Sequence, residues 1–285
     1  MTWNVDPEIF RVGIFAVRWY GTLFTAAFVF GYFILKNIFR REGVPVRQLN
    51  LLTLYVAAGT IIGARLGHCL FYEPEYFLQN PIEMFFPVAN FDGEWRFVGY
   101  QGLASHGGAL GILAALYVYS HKQRVSYLWV LDRVVIVVAL AGFFIRMGNL
   151  MNSEVIGYPT QMPWGFEFVR SPEWYIYMQP CHPTQIYEAL AYLAIFFTLL
   201  RTYIIYNVKL FRGFIFGLFL VTLFSVRFLI EFLKIEQVSF EKGMLLNMGQ
   251  LLSIPFIFCG FYFLFFHKKS VTLWQFFKKY GFKNN

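Results

Sequence analysis

Charge is scarce in this 285-residue chain. Only 14% of its residues are Asp, Glu, Lys or Arg, against 58% hydrophobic residues, and mean hydropathy is +0.53. A soluble domain carries about 25% charged residues, so this composition excludes an ordinary soluble fold and points to a polytopic membrane protein. Cysteine is scarce too. Cys69, Cys181 and Cys259 show no C-x-x-C spacing, which indicates neither a disulfide framework nor a metal site. Cys69 and Cys259 lie in apolar runs and read as small core residues. Cys181 stands beside His182, but adjacency in sequence does not make a Cys–His dyad. No D-x-x-D pair, internal repeat, low-complexity segment or soluble-domain boundary is present. The residues through Glu8 lack a basic n-region, and the first apolar run is too long for an h-region. The first helix is therefore expected to serve as an uncleaved targeting signal.

What is present is a series of apolar runs. Seven can be read, roughly Val12–Ile38, Leu49–Tyr72, Val98–Ser120, Leu128–Gly148, Pro183–Tyr206, Phe214–Leu233 and Leu246–Phe266. A helix of about 20 residues crosses about 30 Å of hydrocarbon, so each qualifies as a span. The fold class expected is all-α and polytopic, with seven transmembrane helices in one membrane domain over 1–285. The net charge of +8 is read as positive-inside bias rather than nucleic-acid binding. Lys36, Arg40, Arg41 and Arg47 follow the first span; Lys122, Arg124 and Arg133 the third; Arg201, Lys209 and Arg212 the fifth. Lys268, Lys269, Lys278, Lys279 and Lys283 fill the tail. The alternate connections hold fewer: Arg96, Arg170, and Lys234 with Lys242. The N-terminus is expected outside and the C-terminus in the cytoplasm. The outer loops 73–97 and 149–182 are long and rich in Pro, Trp, Tyr and Gly, the pattern of a structured arm or head. Interfacial packing explains the same residues. The basic tail 267–285, with Trp274, Phe276 and Phe277, suits an amphipathic segment on the inner surface, though topology signalling accounts for its lysines as well.

Polar residues inside the spans converge on one depth. A charge at bilayer depth costs about 2.5–3.5 kcal/mol on the gentlest scale. Span three enters from outside, so His106 lies about two turns deep, within Gly102-Leu-Ala-Ser-His106-Gly-Gly-Ala-Leu-Gly111. The glycines there let another helix or a ligand approach the backbone. Arg146 lies at the outer end of span four and opens Arg146-Met-Gly-Asn149-Leu-Met-Asn152-Ser-Glu154-Val-Ile-Gly157. Arg146 and Asn149 share a helix face at i,i+3; simple snorkelling of the Arg is the plainer explanation. Arg227 and Glu231 stack at i,i+4 in the outer half of span six, where an ion pair is expected. Tyr20 in Trp19-Tyr20-Gly21, Arg65 between Gly63 and Gly67, and Gln185 and Glu188 on one side of span five fall in the same leaflet. Pro183 is expected as that helix's first residue. Unrelated structural ion pairs have no reason to share a depth.

Several Arg with one His suit an anionic headgroup. Arg is always charged and grips phosphate bidentately, such a cluster stabilises a negative leaving group, and His can take a proton. The class of reaction expected is metal-free group transfer from an anionic phospholipid at the outer leaflet. A lipid or anion transporter would want polar groups reaching both sides and repeated halves. An intramembrane protease built on Ser105 and His106 has the wrong geometry, because adjacent helical side chains diverge.

The run Arg146–Gly157 resembles the signature of bacterial prolipoprotein diacylglyceryl transferases. Ser105-His106-Gly107-Gly108, His182-Pro-Thr-Gln-Ile-Tyr-Glu188 and Arg227-Phe-Leu-Ile-Glu231 are similar to that family's other blocks, in the same order from Tyr20 to Glu231. Ile145, Leu223, Leu103 and Ser105 depart from residues found in some relatives. The resemblance implies transfer of the diacylglyceryl group of phosphatidylglycerol to the lipobox cysteine thiol of a prolipoprotein, with release of glycerol phosphate. This is the first step of lipoprotein maturation. It implies Arg146 and Arg227 as the phosphate clamp and His106 as base for the thiol. Tyr20, Asn149, Asn152, Glu154, Gly157 and Glu231 would shape the site; Arg65, Gln185 and Glu188 are expected as substrate-binding residues on their shared leaflet, not on the resemblance. It also implies no cofactor, no metal and no nucleic-acid partner. The partners are phosphatidylglycerol, the prolipoprotein signal peptide and the bilayer. The location is the bacterial inner membrane, with the active site toward the outer leaflet.

Overall fold

A computed structural model describes residues 1–13, 15–86, 88–91, 94–97, 102, 104–173, 177–206, 210–236 and 243–265. The basic tail, Lys209 and Lys242 lie outside the described residues. The order is β1 (Thr2–Trp3), β2 (Glu8–Val12), β3 (Phe15–Arg18), α1 (Trp19–Arg41), α2 (Val46–Phe71), α3 (Pro74–Gln79), α4 (Pro81–Phe85), β4 (Val88–Phe91), β5 (Glu94–Phe97), α5 (Ser105–Lys122), α6 (Tyr127–Met151), β6 (Glu167–Phe168), α7 (Thr184–Tyr206), α8 (Phe214–Glu231) and α9 (Met248–Phe265).

The chain is mostly helical, and α1, α2, α6, α7, α8 and α9 are long and apolar enough to cross a membrane. α5 has 18 residues, but three glycines, two histidines and Lys122 lower its hydropathy, and it is not one of these six. Leu190, Phe197, Leu229 and Phe258 point outward on the long helices, as a hydrocarbon solvent permits.

Three expected boundaries are corrected. The first helix begins at Trp19, not Val12, because Glu8–Val12 and Phe15–Arg18 pair as an antiparallel hairpin turning at Gly13, whose φ is 59°. An apolar run alone cannot separate a strand from a helix. The third helix begins at Ser105 rather than Val98; residues 98–101 and 103 lie outside the described residues. Pro183 falls one residue before α7 rather than at its first position, and its carbonyl accepts from the amide of Ile186 at 3.0 Å.

The chain divides into two compact units, Lys36–Val130 and the pair Met1–Leu35 with Leu131–Asn285. In the first, α2 and α5 meet along glycines. A Cβ on Gly59 would lie 2.6 Å from the carbonyl oxygen of Gly111, and one on Gly67 2.6 Å from Cα of Gly107. Without water, van der Waals contact between close backbones holds helices together. The glycine density around His106 thus serves helix–helix contact. The loop 73–97 holds α3 and α4, each opened by proline, and the β4–β5 hairpin. Glu83 organises it, accepting from the Tyr76 hydroxyl at 2.6 Å and the Asn90 amide at 3.0 Å.

In the other unit, Phe30 stacks on Phe144 between α1 and α6, and Phe224 on Phe256 between α8 and α9. Buried Asp132 on α6 accepts from the amides of Gly213 at 2.7 Å and Phe216 at 2.8 Å, so one carboxylate caps the start of α8. The described residues of the loop 152–181 pack around Leu150, Ile156, Phe168 and Cys181. β1 pairs in parallel with its β6, and Trp3 stacks on Phe166 while its indole donates to the Leu150 carbonyl at 3.0 Å.

Candidate active site

Three helices supply the charged centre. Arg146 lies near the end of α6, and its Nε sits 2.8 Å from Oε2 of Glu188 in the second turn of α7. The Glu188 side chain is fully buried. Its Oε1 accepts from Nζ of Lys234 at 3.1 Å and from the Tyr192 hydroxyl at 3.0 Å. Lys234 also donates to Oε2 of Glu231 at 3.0 Å. Oε2 of Glu188 accepts no aligned hydrogen bond, so its tie to Arg146 is ionic rather than a bidentate fork. Arg227, half-exposed on α8, lies within electrostatic reach of Glu188 and Tyr192. Among the described residues it has no carboxylate within 4.0 Å. The expected Arg227–Glu231 pair is corrected: Glu231 turns to Lys234 and packs on Gly249, where a Cβ would come 2.5 Å from its carboxyl carbon.

Arg146 also donates from Nη1 to Asn149 Oδ1 at 3.2 Å, the i,i+3 contact expected from their spacing. Asn149 and Asn152 in turn donate to the two oxygens of Glu154, each at 3.0 Å. Ser153 and Val155, on either side of Glu154, have φ of 55° and 60°. For β-branched Val155 this is a strained conformation. Thr184 and Gln185 hold it, donating to the carbonyls of Val155 at 2.8 Å and Glu154 at 2.6 Å. Gln185 therefore uses its amide nitrogen to fix the loop that presents Glu154.

Gly157 lies where a Cβ would be 2.6 Å from the Leu233 carbonyl oxygen and 2.7 Å from Cβ of His182. It lets strand-like bridges form on both sides, to the segment before α7 and to Lys234. Tyr20, at the start of α1, lays its ring on Gly148; a Cβ at 148 would be 2.8 Å from Cδ2. Glu154 and Arg146 both act on its hydroxyl electrostatically.

Cys181 is buried in the loop core. Burial pushes its thiol above the ordinary range, with Glu173 adding to the effect. His182 turns to the Tyr187 hydroxyl at 3.1 Å, so no Cys–His dyad forms.

His106 and Arg65 belong to the other unit. His106 is exposed on the first turn of α5. Arg65 is buried under the Phe77 ring and donates to the carbonyls of Met84 at 3.2 Å and Glu83 at 2.5 Å, which ties the loop head to α2. Sequence reasoning missed Lys234 and Tyr192. Both stand at helical spacing from a charged residue, Lys234 three after Glu231 and Tyr192 four after Glu188, but Lys234 read as a loop cation and nothing singled out Tyr192. No cluster of three His, Cys, Asp or Glu side chains with metal-binding geometry occurs among the described residues.

A family model described as prolipoprotein diacylglyceryl transferase matches residues 7–266. The chain belongs to the prolipoprotein diacylglyceryl transferase family. It is 45% identical over 274 residues to the phosphatidylglycerol–prolipoprotein diacylglyceryl transferase of Bacteroides fragilis, covering 95% of this chain and 97% of the relative. It is 45% identical over 260 residues to that of Tolumonas auensis, at 90% and 94% coverage. To that of Chloroherpeton thalassium it is 40% identical over 272 residues, at 95% and 96%. For a member of the prolipoprotein diacylglyceryl transferase family, the Arg146–Gly157 run is thus an ion-bearing helix end followed by a strained, hydrogen-bonded turn.

Proposed function

We propose that this chain transfers the diacylglyceryl group of phosphatidylglycerol to the lipobox cysteine thiol of prolipoproteins, releasing glycerol phosphate. The reading has the chain as one multi-pass domain of the bacterial inner membrane. It spans seven times, with α5 as the seventh, the N-terminus outside, and loops 73–97 and 149–182 as an outer head. The Lys and Arg bias of alternate loops supports that orientation.

In the reaction the thiol sulfur attacks the terminal glyceryl carbon, a C–S bond forms, and the C–O bond to phosphate breaks. The electron pair leaves on the phosphate oxygen, and the thiol proton goes to a base. The burden falls on the developing phosphate charge, and Arg146 and Arg227 are the groups that meet it. The observation that carries this is the buried Arg146–Glu188–Lys234–Glu231 network with Arg227 in its field. Fixed charges in a water-poor site need no reorganisation as the reaction proceeds. Arg146 spends Nε and Nη1 on its own chain, which sets the plane in which its guanidinium meets phosphate. His106 is assigned as the base. Asn149, Asn152, Glu154, Glu188 and Glu231 hold the clamp in place, with Tyr20 beside it. Gly157 and Gln185 hold the backbone that carries it, and Arg65 holds the loop head of its own unit.

The test incubates purified protein with phosphatidylglycerol and a lipobox peptide. A diacylglyceryl thioether on the peptide and glycerol phosphate in equal amount are expected. A peptide without added mass would overturn the assignment. With His106→Asn, a lost or shifted pH–rate profile is expected; wild-type turnover across pH would move the base elsewhere.

A further inference from the structure

Lys234 stands in no recognised block of the sequence, yet it is one of the most enclosed charges in its unit. Its side chain is 2% exposed. It is fixed twice over. Its Nζ bridges Glu188 and Glu231, and its backbone lies in an antiparallel bridge with Gly157. There the Tyr158 amide donates to the Leu233 carbonyl at 2.8 Å, and the Ile235 amide to that of Ile156 at 3.3 Å.

Its place in the charge arrangement is specific. Three cations, Arg146, Arg227 and Lys234, stand with three carboxylates, Glu154, Glu188 and Glu231. Lys234, together with the Tyr192 hydroxyl, occupies Oε1 of Glu188, and Oε2 faces Arg146. A carboxylate with both oxygens available closes on a guanidinium as a two-bond fork. Lys234 opposes that closure alongside Tyr192, and without Lys234 the cluster is left with one more carboxylate than cation.

We propose that Lys234 is a positioning residue that draws Glu231 away from Arg227 and keeps Glu188 to a one-oxygen contact with Arg146, so that both guanidiniums keep donors for the substrate phosphate. The inference rests on the phosphate-clamp reading above. It also explains Gly157, because the close backbone pairing that only glycine permits is what seats Lys234.

The experiment compares wild type, Lys234→Met and Lys234→Arg, with rate measured against phosphatidylglycerol in mixed micelles and thermal unfolding followed in parallel. Wild-type turnover establishes the clamp reading's activity independently, so its absence would condemn that reading and not this one alone. For Lys234→Met, KM for phosphatidylglycerol should rise at least about tenfold, the size of one close charge coupling, with the smaller change in kcat. Lys234→Arg should return KM to within a few-fold of wild type. An unchanged KM in Lys234→Met would overturn the proposal, as would a fall in kcat alone that tracks the folded fraction. Should Lys234→Met not fold, Lys234→Gln, which keeps a polar side chain there without the charge, carries the test. A KM raised at least about tenfold is expected there too; a KM near wild type overturns the proposal.

Discussion

Replacing Glu188 by Gln keeps the shape of a fully buried side chain and removes its charge. The charge now balances Arg146 at 2.8 Å and Lys234 at 3.1 Å, whose side chains are 13% and 2% exposed. Neither cation can turn to water. Breaking a buried ion pair from one side costs about 3–5 kcal/mol, because the remaining charge is left uncompensated. Spread over a chain of this size, that is a fall of about 6–20 °C in midpoint, taking about 2–4 °C per kcal/mol. Cys181 is a built-in reporter, because it is buried in the loop core of the same unit. In a Cys69→Ala, Cys259→Ala background, a thiol-reactive dye in detergent reads unfolding at that one site. Glu231→Gln, whose carboxylate has one cationic partner and is 8% exposed, should cost less. Arg146→Gln combined with Glu188→Gln should recover part of the loss, since the guanidinium is then no longer left buried without its counter-charge. A shift under about 2 °C for Glu188→Gln, less than one kcal/mol, would refute the view that this carboxylate neutralises two buried cations.

Three further outcomes follow from the same geometry. Gly157→Ala puts a Cβ 2.6 Å from the Leu233 carbonyl oxygen, so the Lys234 segment must move; turnover should fall more than thermal stability, checked by rate and dye unfolding together. Asp132→Ala strips the carboxylate cap from α8 and should lower stability by about 1–2 kcal/mol, with activity per folded molecule retained. Cys181→Ala should leave the transfer rate intact between pH 7 and 8 (about neutral, below the ordinary thiol range). The burial-raised thiol stays protonated there and acts as no nucleophile; a lost rate in a folded protein would contradict this.

The helices were legible because lipid-facing segments must be apolar throughout, and apolar length survives without knowledge of packing. The start of α1 was not, since Val12–Arg18 is apolar enough for either structure and only the Gly13 turn decides. The polar cluster was legible through cost: Arg146, Glu188, Arg227 and Glu231 are expensive at depth and need a reason. Their pairing was not legible. Helical spacing pointed to Arg227 with Glu231, but the chain after α8 folds back along Gly157 and brings Lys234 to both carboxylates. Such long-range backbone pairing leaves no periodic trace. The same holds for Gln185, whose polarity suggested substrate and whose amide holds the Glu154 carbonyl.

The proposed mechanism depends most on Arg227, which has no carboxylate within 4.0 Å among the described residues, meeting the phosphate of the departing group. The decisive experiment weighs a lipobox peptide after incubation with phosphatidylglycerol and Arg227→Ala protein whose unfolding midpoint matches wild type. The peptide should keep its unmodified mass, and a diacylglyceryl adduct formed at the wild-type rate would contradict the phosphate clamp.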